Sequence, residues 1–314
     1  MLVASVGTGA SPLPEVALIA TSGLVLIAGR AMKSAGWLIV PLVTLLAAIV
    51  VTARSKTGIL SIAPLSGPLR YTNADGAFYL QAAIAGLMLA VRRGQWAVRV
   101  VGGLGAAVFA VLPFAIHADA AAWLVVVLPS IALASAGIAG ARGARAGVAL
   151  MGALFAAALG LTIAVGGTYS PGLGLTPAQR AAISVVGPER VVLWREAFVI
   201  MRAHPVAGVG PQRFQVVSPT ARRNADYRWA HDEFLQQGAE GGVVGLALLA
   251  GLFVWGFARL WIVRAPGALT ALAGASLAAL GIHACIDYVM HFPAVPLMTA
   301  GLVGIGMLEG WNRT

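Results

Sequence analysis

Ala230-His231-Asp232-Glu233-Phe234-Leu235-Gln236, followed by Glu240-Gly241-Gly242, is the stretch of this chain best furnished for chemistry. A neutral imidazole, with an unperturbed pKa of ~6.5, accepts a proton near physiological pH, and a general base of that kind contributes roughly 10²–10⁴ in rate. The spacing predicts a short helix beginning at His231, with Phe234, Leu235 and Gly238 at i+3, i+4 and i+7, so that the ring stands at one end of an apolar face. Taken alone, a loop histidine is more often structural than catalytic. The other candidate group is cationic: Arg190, with Trp194 and Arg195 close behind it. A guanidinium forks onto phosphate oxygens in charge-assisted, often bidentate bonds, but the plain alternative for any one of these arginines is a solvated or headgroup-facing position.

Several local signals say which elements hold these groups. Pro188 and Glu189 open a helix, because proline lacks only a donor that the first turn leaves orphaned and the acid favours the positive dipole end. The helix runs over 188–203, with Val191, Trp194, Ala197, Phe198 and Met201 on one face, and is expected to lie at a membrane surface. His204-Pro205 ends it, since the residue before proline is pushed out of the α region. Gly208 and Gly210 permit unusual φ values and close backbone approach; with no Gly-Lys-Ser/Thr following, they are no nucleotide loop and are expected to shape the chain. Tyr71-Thr72-Asn73 reads as a helix entry with Asn73 as the cap. His283, Asp287 and His291 fall at i, i+4 and i+8, one stripe of a late apolar helix. Buried ionisable groups in a membrane must face protein or water. Without a further ligand set a metal site is not expected there, and a polar helix contact is.

The remainder of the chain is apolar: 59% hydrophobic and 10% charged residues exclude an ordinary water-soluble globule. Runs long enough to cross a bilayer fall at about 16–29, 36–53, 74–91, 97–116, 121–141, 146–166, 243–263, 267–290 and 293–310, nine spans in all. The expected fold class is an all-α polytopic membrane protein: N-terminal spans in 1–167, an external loop over 168–240 carrying short amphipathic helices, and C-terminal spans in 241–314. The net charge of +10 reflects topology, not a nucleic-acid partner, because the basic residues sit in short gaps between spans. Arg30, Lys33, Arg92, Arg93, Arg99, Arg142, Arg145, Arg259, Arg264 and Arg313 share one side if nine spans alternate, which makes that side cytoplasmic; Arg54, Lys56 and Arg70 are the exceptions. The long loop, with eight arginines and six acids, then faces the periplasm or the cell exterior. Cys285, the single cysteine, is placed inside a span, and the first fifteen residues lack the basic stretch of a cleaved signal peptide.

Taken together, Arg190-x-x-x-Trp194, His204-Pro205-x-x-Gly208-x-Gly210 and His231-Asp232-x-x-Leu235-Gln236 followed by Glu240 resemble the loop of the O-antigen ligase and O-antigen polymerase membrane family. Tyr71-x-Asn73, after Ser66-Gly67-Pro68, is similar to that family's entry into an earlier span, and His283-x-x-x-Asp287 to a pair in its late helix. The resemblance implies a glycosyltransferase of surface-polysaccharide assembly in the cell membrane. It would move a glycan from an undecaprenyl-diphosphate carrier to a glycan, lipid or protein acceptor, with the lipid bilayer as surroundings, and nothing in the residues calls for a metal, nucleotide or nucleic acid. His231 would be the base and Arg190 would hold the diphosphate, helped by Arg70 or Arg195. Trp194, Tyr71, Asn73, Gly208, Gly210, Asp232, Gln236, Glu240 and Asp287 would complete the substrate site. Further helices would precede this stretch.

The chain departs from the pattern at two points. Asp232 stands where the family usually has asparagine, and His117-Ala118-Asp119-Ala120 replaces a Ser-Arg-Gly; Arg142-Gly143 resembles that motif but falls on the cytoplasmic side. A small-anion carrier, such as one for bicarbonate, and a non-catalytic member of the family are the rival expectations. A carrier would place its essential polar groups near mid-membrane.

Overall fold

The computed structural model describes residues 20–28, 33–54, 69–92, 95–224 and 227–309. Residues 16–19 and 29 of the first expected span, Ser66-Gly67-Pro68, Arg30, Lys56, Arg93 and Arg313 lie outside them. Among the described residues the regular structure is all helical: a stretch at 20–28, then α1 (Lys33–Arg54), α2 (Thr72–Ala90), α3 (Trp96–Ala115), α4 (Asp119–Thr168), α5 (Pro177–Val186), α6 (Pro188–Ala203), the short α7 (Phe214–Val217) and α8 (Pro219–Arg223), α9 (Glu233–Trp261), α10 (Ala268–Ala284) and α11 (Ala294–Gly306). α3, α4 and α9 are long and apolar enough to cross a membrane; Leu38–Ala53, α10 and α11 are apolar but shorter. On α3, Val100, Val101, Leu104, Val108 and Val111 are all exposed, the surface of a helix that faces lipid and not water. The molecule is a membrane protein.

Two expected spans, 121–141 and 146–166, arrive as one helical run, α4, interrupted at Ala139 (φ −130°) and Gly140 (φ +53°). The chain reverses there. A Cβ placed on Gly147 would abut the Ser135 hydroxyl and come within 4.0 Å of the Ile131 carbonyl oxygen, although 131 and 147 would stand ~24 Å apart along a straight helix. Gly140 adopts the left-handed φ that the turn needs, and Gly143 lets the second leg press on the backbone of Ser135.

The described chain forms two compact units. Ala20–Ala153, Trp255–His283 and the residues from Val289 form one of them. At its centre α2 is buried along most of its length and packs on α1, α3 and α11. Its polar residue Gln81 is satisfied reciprocally by Ser276: the amide donates to the Ser276 carbonyl at 3.2 Å and accepts from its hydroxyl. Tyr71, and not Asn73, occupies the N-cap of α2, and it makes no capping bond through its side chain; Asp75 reaches back to the Leu69 N–H at 2.7 Å. The Tyr71 ring stacks on Phe292 at 5.6 Å.

The second unit, Leu154–Val254 with Ala284–Tyr288, holds the long polar loop. α6 has the expected limits, from Pro188 to a C-cap at His204, and buries Val191, Leu193, Trp194, Ala197, Ile200 and Met201. The end of α4 lies against it through Gly166 and Gly167, where an added Cβ would meet the Trp194 carbonyl oxygen at 3.0 Å and the Phe198 ring at 3.1 Å; small residues allow that approach. Glu196 ties α6 to the following turns by accepting from the hydroxyls of Ser218 and Thr220 and from the Thr220 N–H.

Candidate active site

α9 begins at Glu233, two residues later than the sequence predicts. Asp232 is its cap, accepting from the Leu235 N–H at 2.9 Å, as an aspartate at that position favours. His231 therefore precedes the helix, with φ +51°, a left-handed value that few non-glycine residues adopt. Ala230 on its other side is fixed by donating to Gln236 Oε1 at 2.8 Å. The chain turns sharply between these two anchors, at His231.

The ring meets Asp287. His231 Nδ1 lies 3.1 Å from Asp287 Oδ1, which also accepts from the Tyr288 N–H at 2.8 Å. Arg190 reaches the same residue from α6, donating from Nη2 to Asp287 Oδ2 at 3.2 Å and from Nη1 to the Ile286 carbonyl at 2.9 Å. Asp287 is fully buried, the His231 side chain is 7% exposed and the Arg190 side chain 23%, so the cation forms the accessible edge of the cluster. Tyr288 and Tyr227 stand edge-on to the imidazole, at 4.8 Å and 6.4 Å between centroids. A carboxylate against Nδ1 favours the tautomer with its proton on that nitrogen, which leaves the lone pair on Nε2. Nε2 is buried and has no hydrogen-bond partner. Buried polar atoms seldom stay unpaired, and with the proton on Nδ1 this nitrogen keeps a free acceptor lone pair.

This geometry corrects the late-helix stripe. α10 stops at Ala284, and the chain passes through an irregular stretch to a 3-10 turn at Val289–His291, so His283, Asp287 and His291 do not line one helical face. The break frees Asp287 to pair with Arg190 and His231, contacts that a helical position would not give it. Cys285 lies just past the end of α10 and is buried. Among the described residues no group of three or more His, Cys, Asp or Glu could hold a metal ion.

Other predicted site residues are engaged in building the loop. Glu240 accepts from the N–H groups of Gln212 and Phe214, at 2.8 and 3.1 Å, and from Gln236 Nε2 at 2.7 Å. Gly242 breaks α9 with φ +65°, and the His-Pro-x-x-Gly-x-Gly segment covers the break: Val209 donates to the Ala239 carbonyl, Gly210 to that of Glu240, and Val243 to that of Pro205. Gly208 (φ +61°) and Gly210 (φ +96°) have the left-handed backbone expected of them, and a Cβ on Gly208 would strike the Glu240 backbone. The Gly210 N–H is thus committed to protein, not to an anion. Arg195 donates to the Gly167 carbonyl at 3.0 Å, and the Trp194 indole N–H to the His231 carbonyl at 3.2 Å. Arg70, Tyr71 and Asn73 belong to the other compact unit. Nothing in the sequence marks Tyr227, Tyr288 or Thr162: Tyr288 directly follows Asp287 and Tyr227 stands four residues before His231, but neither spacing signals a ring contact.

Comparison with models of known protein families finds no match, and comparison with curated proteins finds none either.

Asp232 supplies a measurable pH dependence. Complete burial pushes its carboxyl up to about 7, against the N–H groups of Leu235 and Phe234 and the Thr162 hydroxyl, which pull it down. The folded protein therefore holds this proton more tightly than the unfolded chain does. The resulting stability is full below about pH 4 and is lost as pH rises through about 7. Asparagine keeps the capping oxygen and cannot ionise. Asp232→Asn should match wild type near pH 4 and melt ~5 °C higher near pH 8, as followed by thermal unfolding in detergent; a difference independent of pH would refute this account.

Proposed function

We propose that the protein is a membrane glycosyltransferase that moves a glycan from an undecaprenyl-diphosphate carrier to an acceptor hydroxyl on the outer face of the membrane, in the manner of an O-antigen ligase or polymerase. The observation that carries the reading is the buried, unpartnered Nε2 of His231 with Nδ1 on the Asp287 carboxylate. Nε2 takes the proton of the acceptor hydroxyl, the freed oxygen attacks the anomeric carbon, and the bond from that carbon to the diphosphate oxygen breaks. The carrier leaves with the electron pair. Arg190, at the accessible edge, has N–H groups beyond the two used on Asp287 and Ile286 and stabilises the negative charge of the leaving diphosphate. Asp287 offsets the charge of the imidazolium that forms. The mutual satisfaction of Gln81 and Ser276 leaves that polar pair committed to helix packing, not to a carrier's path.

In this reading the chain crosses the membrane nine times, the two legs of α4 counting separately, and the 168–240 loop is outside. Purified protein given lipid-linked oligosaccharide and an acceptor should release undecaprenyl diphosphate in step with glycan transfer; no transfer to any acceptor class would sink the reading. Single cysteines at the exposed Arg180 and Arg223 should react with a membrane-impermeant maleimide in intact cells, over a low background because Cys285 is buried. Reaction only after the membrane is opened would overturn the topology.

A further inference from the structure

We infer that Trp194 is a positioning residue for His231: its indole N–H holds the His231 carbonyl, and with it the left-handed backbone that turns the ring onto Asp287. The inference rests on the reading of His231 as a base. Trp194 is buried and stands one helical turn beyond Arg190 on α6, so the two side chains leave the helix on the same side. Arg190 grips Asp287 and Ile286, while Trp194 grips the carbonyl of His231. One rigid helix thus holds both halves of a pair whose members lie 56 residues apart. Gln236 pins the residue before His231 and the α9 cap pins the residue after it, which leaves the indole as the group that holds the His231 carbonyl itself. Without it the buried carbonyl loses its donor, and the peptide can rotate toward an ordinary φ, carrying Nε2 off its line.

The indole ring also fills the core around α6, so the test must separate the N–H from the volume. Trp194→Phe and site-specific benzothienylalanine at position 194, an isostere without the N–H, are compared in the full chain in detergent. Both should lower kcat ~10- to 100-fold, the cost of a reacting group displaced by up to ~1 Å, with KM for donor and acceptor within ~2-fold of wild type. A low-field proton resonance from His231 Nδ1–H, assigned by its loss in His231→Ala, should broaden or move upfield in both. If the isostere leaves kcat and that resonance unchanged, Trp194 is only core and the inference falls; should the phenylalanine variant not fold, the isostere decides alone. The resonance requires no substrate, so it judges the positioning role even if glycan transfer fails in wild type and overturns the functional reading.

Discussion

Replacing His231 with alanine is expected to slow glycan transfer by at least ~100-fold, the lower end of what a general base contributes, while lipid-linked donor still binds. The ring contributes no hydrogen bond beyond that to Asp287, and Nε2 has no protein partner. Its loss removes the proton acceptor without disturbing the caps on either side, which use the backbone of Ala230 and the side chain of Asp232. Single-turnover transfer measured beside equilibrium donor binding separates the two effects. Undiminished transfer would remove His231 from the chemistry; lost donor binding would make it a substrate-holding group.

Arg190→Lys should be nearly as damaging, by ~100-fold, the scale of losing one donor to a developing charge. The fork matters because two different nitrogens serve two different acceptors, Nη1 the Ile286 carbonyl and Nη2 the Asp287 carboxylate. A lysine brings one compact ammonium and cannot hold both while also meeting the diphosphate. Donor affinity and kcat at saturating donor should therefore fall together, with protein level and membrane insertion intact. A fall in kcat alone would restrict Arg190 to holding Asp287, and wild-type turnover would leave it a purely structural partner of Asp287 and Ile286.

The residues bear unevenly on what could be known beforehand. The composition alone requires lipid-facing helices, because 59% hydrophobic residues leave too few polar groups to cover a water-exposed surface. α6 was legible to the residue, since Pro188 and His204-Pro205 impose backbone limits that operate within a turn. Gly208 and Gly210 were legible for the same local reason: only glycine accepts their φ values without strain. His231 could be chosen from its neighbours, but its start-of-helix position could not, because Asp232 is the better cap and moved the boundary. Periodicity puts Asp287 in a helical stripe, but α10 ends at Ala284, and beyond that break the carboxylate meets Arg190 and His231. For Trp194 the sequence suggests a membrane-surface helix face and the resemblance a substrate contact; the structure gives its N–H to the His231 carbonyl. Caps, glycine turns and apolar runs are short-range and can be read along the chain. The Arg190–Asp287–His231 cluster joins three segments far apart in sequence, and only tertiary packing, by burying a carboxylate that must then be paired, decided which groups would meet.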